Sequence, residues 1–135
     1  MRAATLVTMW IVRVAGIVQI VLGLLFWTGR ALGYIPLHMS VGFVVVLGLW
    51  TLALLALVAR TRPGLAVFAI LWGLALPALG MTQAAILVGP WHWIIRVIHL
   101  LMGVTALGTA DNLAARVLKG RAASGTMAGG CGDGG

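Results

Sequence analysis

Acid is what this chain has least of. Among 135 residues there are two Asp/Glu side chains, against nine Lys/Arg, and only 8% of the residues are charged while 62% are hydrophobic. A soluble fold of this size needs a charged surface, and this composition has too little charge to make one. The shortage of carboxylates also disfavours proton-coupled export, which in small four-helix transporters depends on an acid embedded in the membrane; Asp111, near the inner end of the last apolar run, is the sole candidate. One cysteine, Cys131, excludes an internal disulfide and a cysteine-rich metal centre. Nowhere are a nucleophile, a base and an orienting acid grouped, so hydrolytic chemistry finds no support.

What the chain does have is length in its apolar runs. Four of them, about Thr5 to Trp27, Met39 to Val58, Gly64 to Val88 and Trp91 to Ala110, each approach or exceed the ~20 residues that a spanning helix requires. Breakers separate them: Gly29, Gly33 and Pro36, then the RTRPG stretch Arg60 to Gly64, then Gly89 and Pro90. The pattern predicts an all-α integral membrane protein, a four-transmembrane up-and-down helix bundle. The helices are expected over about 5–27, 36–59, 64–88 and 91–115, within a membrane domain 1–119, and the Gly-rich segment 120–135 is expected to be a flexible tail.

The first run is too long for a secretory leader and has no small-x-small cleavage site before Trp27 and Arg30, so it reads as the first helix. Arg2, Arg60, Arg62, Arg116, Lys119 and Arg121 fall at one end of such a bundle. The positive-inside rule then places both termini in the cytoplasm, and a bacterial-type inner membrane is the expected location. The net charge of +7 is accounted for by topology and anionic lipid headgroups, and no nucleic-acid partner is implied.

Polar groups inside such runs are costly and call for a reason. They are Arg13 and Gln19 in helix one, His38 at the start of helix two, Gln83 in helix three, and His92, Arg96 and His99 in helix four. His92, Arg96 and His99 are spaced by four and three and share one helical stripe, with the two histidines about 10 Å apart along the axis. His92 lies between Trp91 and Trp93, and an interfacial aromatic belt with Arg96 snorkelling to the headgroups accounts for those residues without a ligand. His99 lies two turns deeper, beyond that explanation.

Helices two and four run in the same direction, so His38 and the histidines of helix four meet at the outer membrane face. Both helices carry His-x-x-x-Gly: His38 with Gly42 (HMSVG) and His99 with Gly103 (HLLMG). A glycine one turn from a histidine leaves room for a flat macrocycle, although small residues also serve plain helix packing. Gly16 and Gly23 in helix one and Gly73 and Gly80 in helix three, each pair seven apart, suggest a two-plus-two hairpin repeat in which His38 and His99 are equivalents. Two imidazoles give a six-coordinate haem iron suited to electron transfer, whereas zinc lacks the further ligands that it needs. Arg96 and Arg30, toward the outer face, are candidates to pair with haem propionates. Covalent c-type attachment is excluded because no Cys-x-x-Cys-His occurs.

At LHMSVG, Leu37 to Gly42, followed by an apolar helix with Trp50 that ends at Arg60, the chain resembles the bacterial cytochrome b561-like proteins. That resemblance spans about 25 residues of helix two and implies a four-helix membrane protein with His38 as a ligand to haem b, exchanging electrons with quinone. The family also has a histidine in its first helix; this chain has none there, so one haem is expected. The haem A synthases share similar hairpins. The second ligand is expected to be His99, by the repeat, with His92 as the alternative. A depth count favours His92: His38 lies 22 residues before Arg60, His92 lies 24 before Arg116 and His99 only 17. The offset places His99 about 7 Å deeper than His38.

Two functions follow as expectations. One is a small membrane cytochrome b carrying electrons between quinone and an extracytoplasmic redox partner. The other is a non-catalytic membrane anchor or accessory subunit, bound to other membrane or redox protein subunits.

Overall fold

A computed structural model of the chain describes residues 1–129, with side chains described for 1–120. It contains four long helices: α1 Arg2–Trp27, α2 Ile35–Val58, α3 Pro63–Thr82 and α4 His92–Gly129. Short 3-10 turns at Leu32–Tyr34 and Gln83–Ala85 lead out of the α1–α2 and α3 ends, and no strand occurs among the described residues. All four helices are long and apolar enough to cross a membrane. Large apolar side chains such as Ile17, Leu47 and Leu71 are exposed all round the bundle, which suits a hydrocarbon solvent and not water.

The breakers act as the sequence suggests. Arg60 and Arg62 both take left-handed backbone, at φ 52° and 36°, and Pro63 opens α3 at a position where its missing N–H has no helical partner to lose. Two ends differ from expectation. Helix three stops at Thr82 instead of running to about residue 88: a 3-10 turn follows, Ile86 is extended and Leu87 is left-handed at φ 51°. Helix four continues through the segment expected to be a flexible tail, as far as Gly129. Extending a formed helix costs far less than starting one, and Ala122, Ala123 and Met127 to Ala128 are good helix formers. Residues 130–135, with Cys131, lie outside the described part.

α2 and α4 pack against each other, and α1 and α3 lie on either flank of that pair. The fully buried core gathers toward the end that carries Arg2, Arg60, Arg62, Arg116 and Lys119, called here the basic end. It consists of Thr5, Val12 and Ala15 of α1, Val45, Val46, Leu49, Leu52, Ala53 and Ala56 of α2, Ala66, Ala69 and Leu76 of α3, and Ala106, Ala110, Leu113, Ala114 and Val117 of α4. Small residues let the helices approach, as expected where lipid is as apolar as the core and association rests on close packing. Gly16 meets Leu107, Gly73 meets the indole of Trp50, and Gly48 meets Val12. Two indole N–H groups donate across helices, Trp50 to the Ile70 carbonyl at 3.2 Å and Trp72 to the Met102 carbonyl at 3.0 Å.

Gly48 gives the sharpest packing test. A Cβ there would collide with Cγ2 of Val12, a fully buried β-branched side chain with one preferred rotamer in a helix. Gly48→Ala is expected to destabilise the bundle by about 1–3 kcal/mol through overpacking, read as a lower midpoint in a detergent unfolding titration. An unchanged midpoint would mean that the α1–α2 contact is slack.

Candidate functional site

At the opposite end, called here the histidine end, the bundle is far less filled. No residue from Ile17 to Val44, and none from Arg96 to Thr105, is fully buried; Leu76 and Ile95 are the outermost core residues. The sequence reading leaves two partners open for His38, and the structure decides which histidine lies beside it. The rings of His38 and His99 are neighbours, with centroids 6.4 Å apart and planes inclined at 51°. Both side chains are half-buried, and the Nδ1 atom of each is enclosed without a hydrogen-bond partner.

The two rings sit between helices in matching surroundings. His38 on α2 lies against Gly23 of α1, where an added Cβ would be 4.0 Å from its Cε1. His99 on α4 lies against Gly80 of α3, where an added Cβ would be 3.1 Å from its Cε1. In each hairpin a glycine of the odd helix thus faces the histidine of the even one, with the tight fit at Gly80 and an ordinary contact distance at Gly23. Phe26, near the end of α1, closes on His38 edge-to-face at 5.3 Å. Gln19 donates from Nε2 to the His38 carbonyl at 2.8 Å, tying α1 to the first turns of α2, while its own Oε1 is buried and unpartnered.

The other residues singled out in the sequence have different places. Gly42 faces Gln19, whose Nε2 would be 2.6 Å from an added Cβ, so its lack of a side chain admits the Gln19 bridge. Gly103 has nothing within 4 Å of the position its Cβ would take. His92 is exposed-side and engaged locally: its Nδ1 lies 3.2 Å from the Ile86 carbonyl, pinning the α3–α4 connection. Arg96 is on the exposed face of α4, one turn from His99, and Arg30 is in the exposed loop after α1. Neither forms an ion pair among the described residues.

Three features of the site escape sequence reasoning. Gly23 and Gly80 are the glycines that face the imidazoles; the seven-residue glycine spacing was the signal for them, but it does not say what they face. Gln19 stands out in the sequence as a polar group within an apolar run, but nothing there names the His38 carbonyl as its partner. The third lies deeper, where Arg13 of α1 and Asp111 of α4 form an ion pair, Nε to Oδ1 at 2.9 Å, with Arg13 also 5.3 Å from the centroid of the Trp10 ring. Asp111, which by sequence stands nearest to Arg116, is therefore paired across 98 residues of chain.

No family model, curated protein or solved structure matches this chain. The fold by itself defines a multi-pass α-helical membrane protein with a paired-histidine site in the loosely filled half of its bundle.

Proposed function

We propose that this protein is a small membrane cytochrome b, in which His38 and His99 hold one haem b and electrons pass between quinone and an extracytoplasmic redox partner. The observation that carries the reading is the pair of imidazoles on the two central parallel helices. Two imidazoles that shared one metal, with metal–nitrogen bonds of about 2 Å, would have ring centroids about 6 to 6.5 Å apart; the separation here is 6.4 Å. Planes that share the axis through a metal are free to differ by rotation about it, so an angle of 51° is compatible with such ligation. Among the described residues no group of three or more His, Cys, Asp or Glu gathers around a common point, so a bare zinc ion would lack its usual protein ligands here.

When bound, haem b supplies a one-electron iron couple, and two neutral imidazoles keep the iron low-spin. The chain supplies the rest. Gly80 lets the His99 ring stand close to α3, Gly23 lies against the His38 ring, Gln19 ties α1 to the His38 carbonyl, and Phe26 packs edge-to-face on the His38 ring. Arg96 and Arg30, near the same membrane face and free of ion pairs, are suited to the propionates. On this reading the histidine end faces away from the cytoplasm, by the distribution of basic residues, and the host membrane is a bacterial-type inner membrane.

The test is optical. Protein purified from haem-replete cells is expected to be red, with a Soret band and sharp visible bands on dithionite reduction. A colourless, folded preparation would exclude the haem reading. That result would favour the second one, a membrane anchor or accessory subunit, for which one observation speaks: the Arg13–Asp111 pair is about half exposed at the α1–α4 seam, where a partner helix would cover it.

A further inference from the structure

The basic end holds a second site, remote from the histidines. The α2–α3 turn and the end of α4 border an open groove of about 470 Å³ lined by Arg62, Gly64, Leu65, Phe68, Asn112 and Arg116. Beside it a second, of about 340 Å³, is lined by Thr61, Arg62, Arg116 and Lys119. Arg62 and Arg116 belong to both, so three cations converge on one continuous opening. No acid neutralises them: Asp111 is the only acid among the described residues, and it is paired with Arg13. Arg116 is held by its neighbour in the lining, its Nε donating to Asn112 Oδ1 at 2.7 Å, a bond that leaves the terminal guanidinium nitrogens available to a ligand.

The two walls of the opening differ in kind. One is the cationic set. The other is Leu65 and Phe68 of α3, with Phe68 stacked on Trp72 at 5.1 Å, and this apolar wall runs from the turn into the membrane-spanning part of the helix. Arg62 is held in left-handed backbone, at φ 36°, a conformation that usually selects glycine or asparagine, so the position carries an arginine against its backbone preference. Gly64 has open space where a side chain would stand. A small free anion would use the cations and leave the apolar wall unused. A ligand with a negative headgroup and hydrocarbon chains uses both.

The geometry points to a binding site for an anionic phospholipid, its phosphate between Arg62, Arg116 and Lys119 and an acyl chain along Leu65 and Phe68. Guanidinium groups bind phosphate oxygens in bidentate fashion, and the leaflet on the basic side is the anionic one. The site is independent of the haem reading, because it shares no residue with it.

The experiment is native mass spectrometry of the purified full chain from mixed micelles of phosphatidylglycerol and phosphatidylcholine. The unsubstituted protein is expected to retain phosphatidylglycerol preferentially. Arg62→Gln/Arg116→Gln is expected to lower that preference roughly ten- to thirty-fold, the effect of removing two charges near an anionic surface. Lys119→Gln, an exposed change at the rim, is expected to lower it several-fold and serves if the double variant fails to fold. Arg2→Gln/Arg60→Gln removes two charges from the same end but outside the groove, and is expected to leave it unchanged. Equal losses in the two double variants would overturn the site in favour of diffuse surface charge. Displacement of the retained lipid by millimolar inorganic phosphate would overturn the lipid and leave a free-anion site.

Discussion

Replacing either His38 or His99 with alanine is expected to remove the Soret band and the bound haem from protein purified from haem-replete cells, while His92→Ala retains both. The asymmetry comes from position. His38 and His99 face each other across the bundle at 6.4 Å, whereas His92 holds the Ile86 carbonyl at 3.2 Å in the connection between α3 and α4. Even changes one shell out from a metal typically cost 10–100-fold in affinity, so if these histidines hold the proposed haem, loss of either is expected to cost about that much or more. Pigment content per protein, by pyridine haemochrome, measures it. Retention of haem by His99→Ala together with its loss in His92→Ala would reverse the ligand assignment; retention in His38→Ala would remove the basis of the proposal.

Asp111→Leu is expected to lower bundle stability by about 2–3 kcal/mol, and Arg13→Leu/Asp111→Leu to recover most of the loss. Arg13 lies 11 residues along α1 from Arg2, about 16 Å at the helical rise, and so within the hydrocarbon layer. A charge at such depth without a partner costs about 2.5–3.5 kcal/mol on insertion scales. Asp111 accepts from Arg13 at 2.9 Å and removes much of that cost, although both side chains are partly exposed and, in water, such a pair would contribute little. The sign of the double variant is therefore the decisive outcome: two leucines satisfy lipid without any pairing. Unfolding of the three proteins in the same micelle tests it. A double variant less stable than Asp111→Leu would show that the pair supports packing or a partner, and not charge balance.

How far the sequence reaches is clear from where it stopped. Four membrane-spanning helices and their breakers were legible because hydropathy is local: each run is apolar on its own, whatever it packs against. The same local reading put His38 and His99 on parallel helices at one end, through nothing more than an even number of crossings. It favoured His99 over His92 only through the His-x-x-x-Gly repeat, against the depth count. Counting residues from the basic end treats every helix as upright and equally long, and on that count His92 matched His38 better. In the structure His92 belongs to the connection, within the first turn of α4, and α3 ends early at Thr82, so the count carried no information about which ring meets His38.

Rotation of the helices about their axes was out of reach for a related reason. A helix that is apolar on every side, as α2 and α3 are, has no hydrophobic face to mark its interior, because lipid and core are equally acceptable to Leu and Val. What turns each helix to its place is steric fit at a few small residues: Gly16 on Leu107, Gly48 on Val12, Gly73 on Trp50, Gly80 on His99. Those contacts join residues from 19 to 91 positions apart in the chain. By itself, then, the sequence determined that the chain crosses a membrane four times and which polar residues are set at which end. Only the tertiary structure decided that His99 faces His38, that Gly23 and Gly80 stand against them, and that Asp111 answers Arg13, since each depends on the packing of one helix against another.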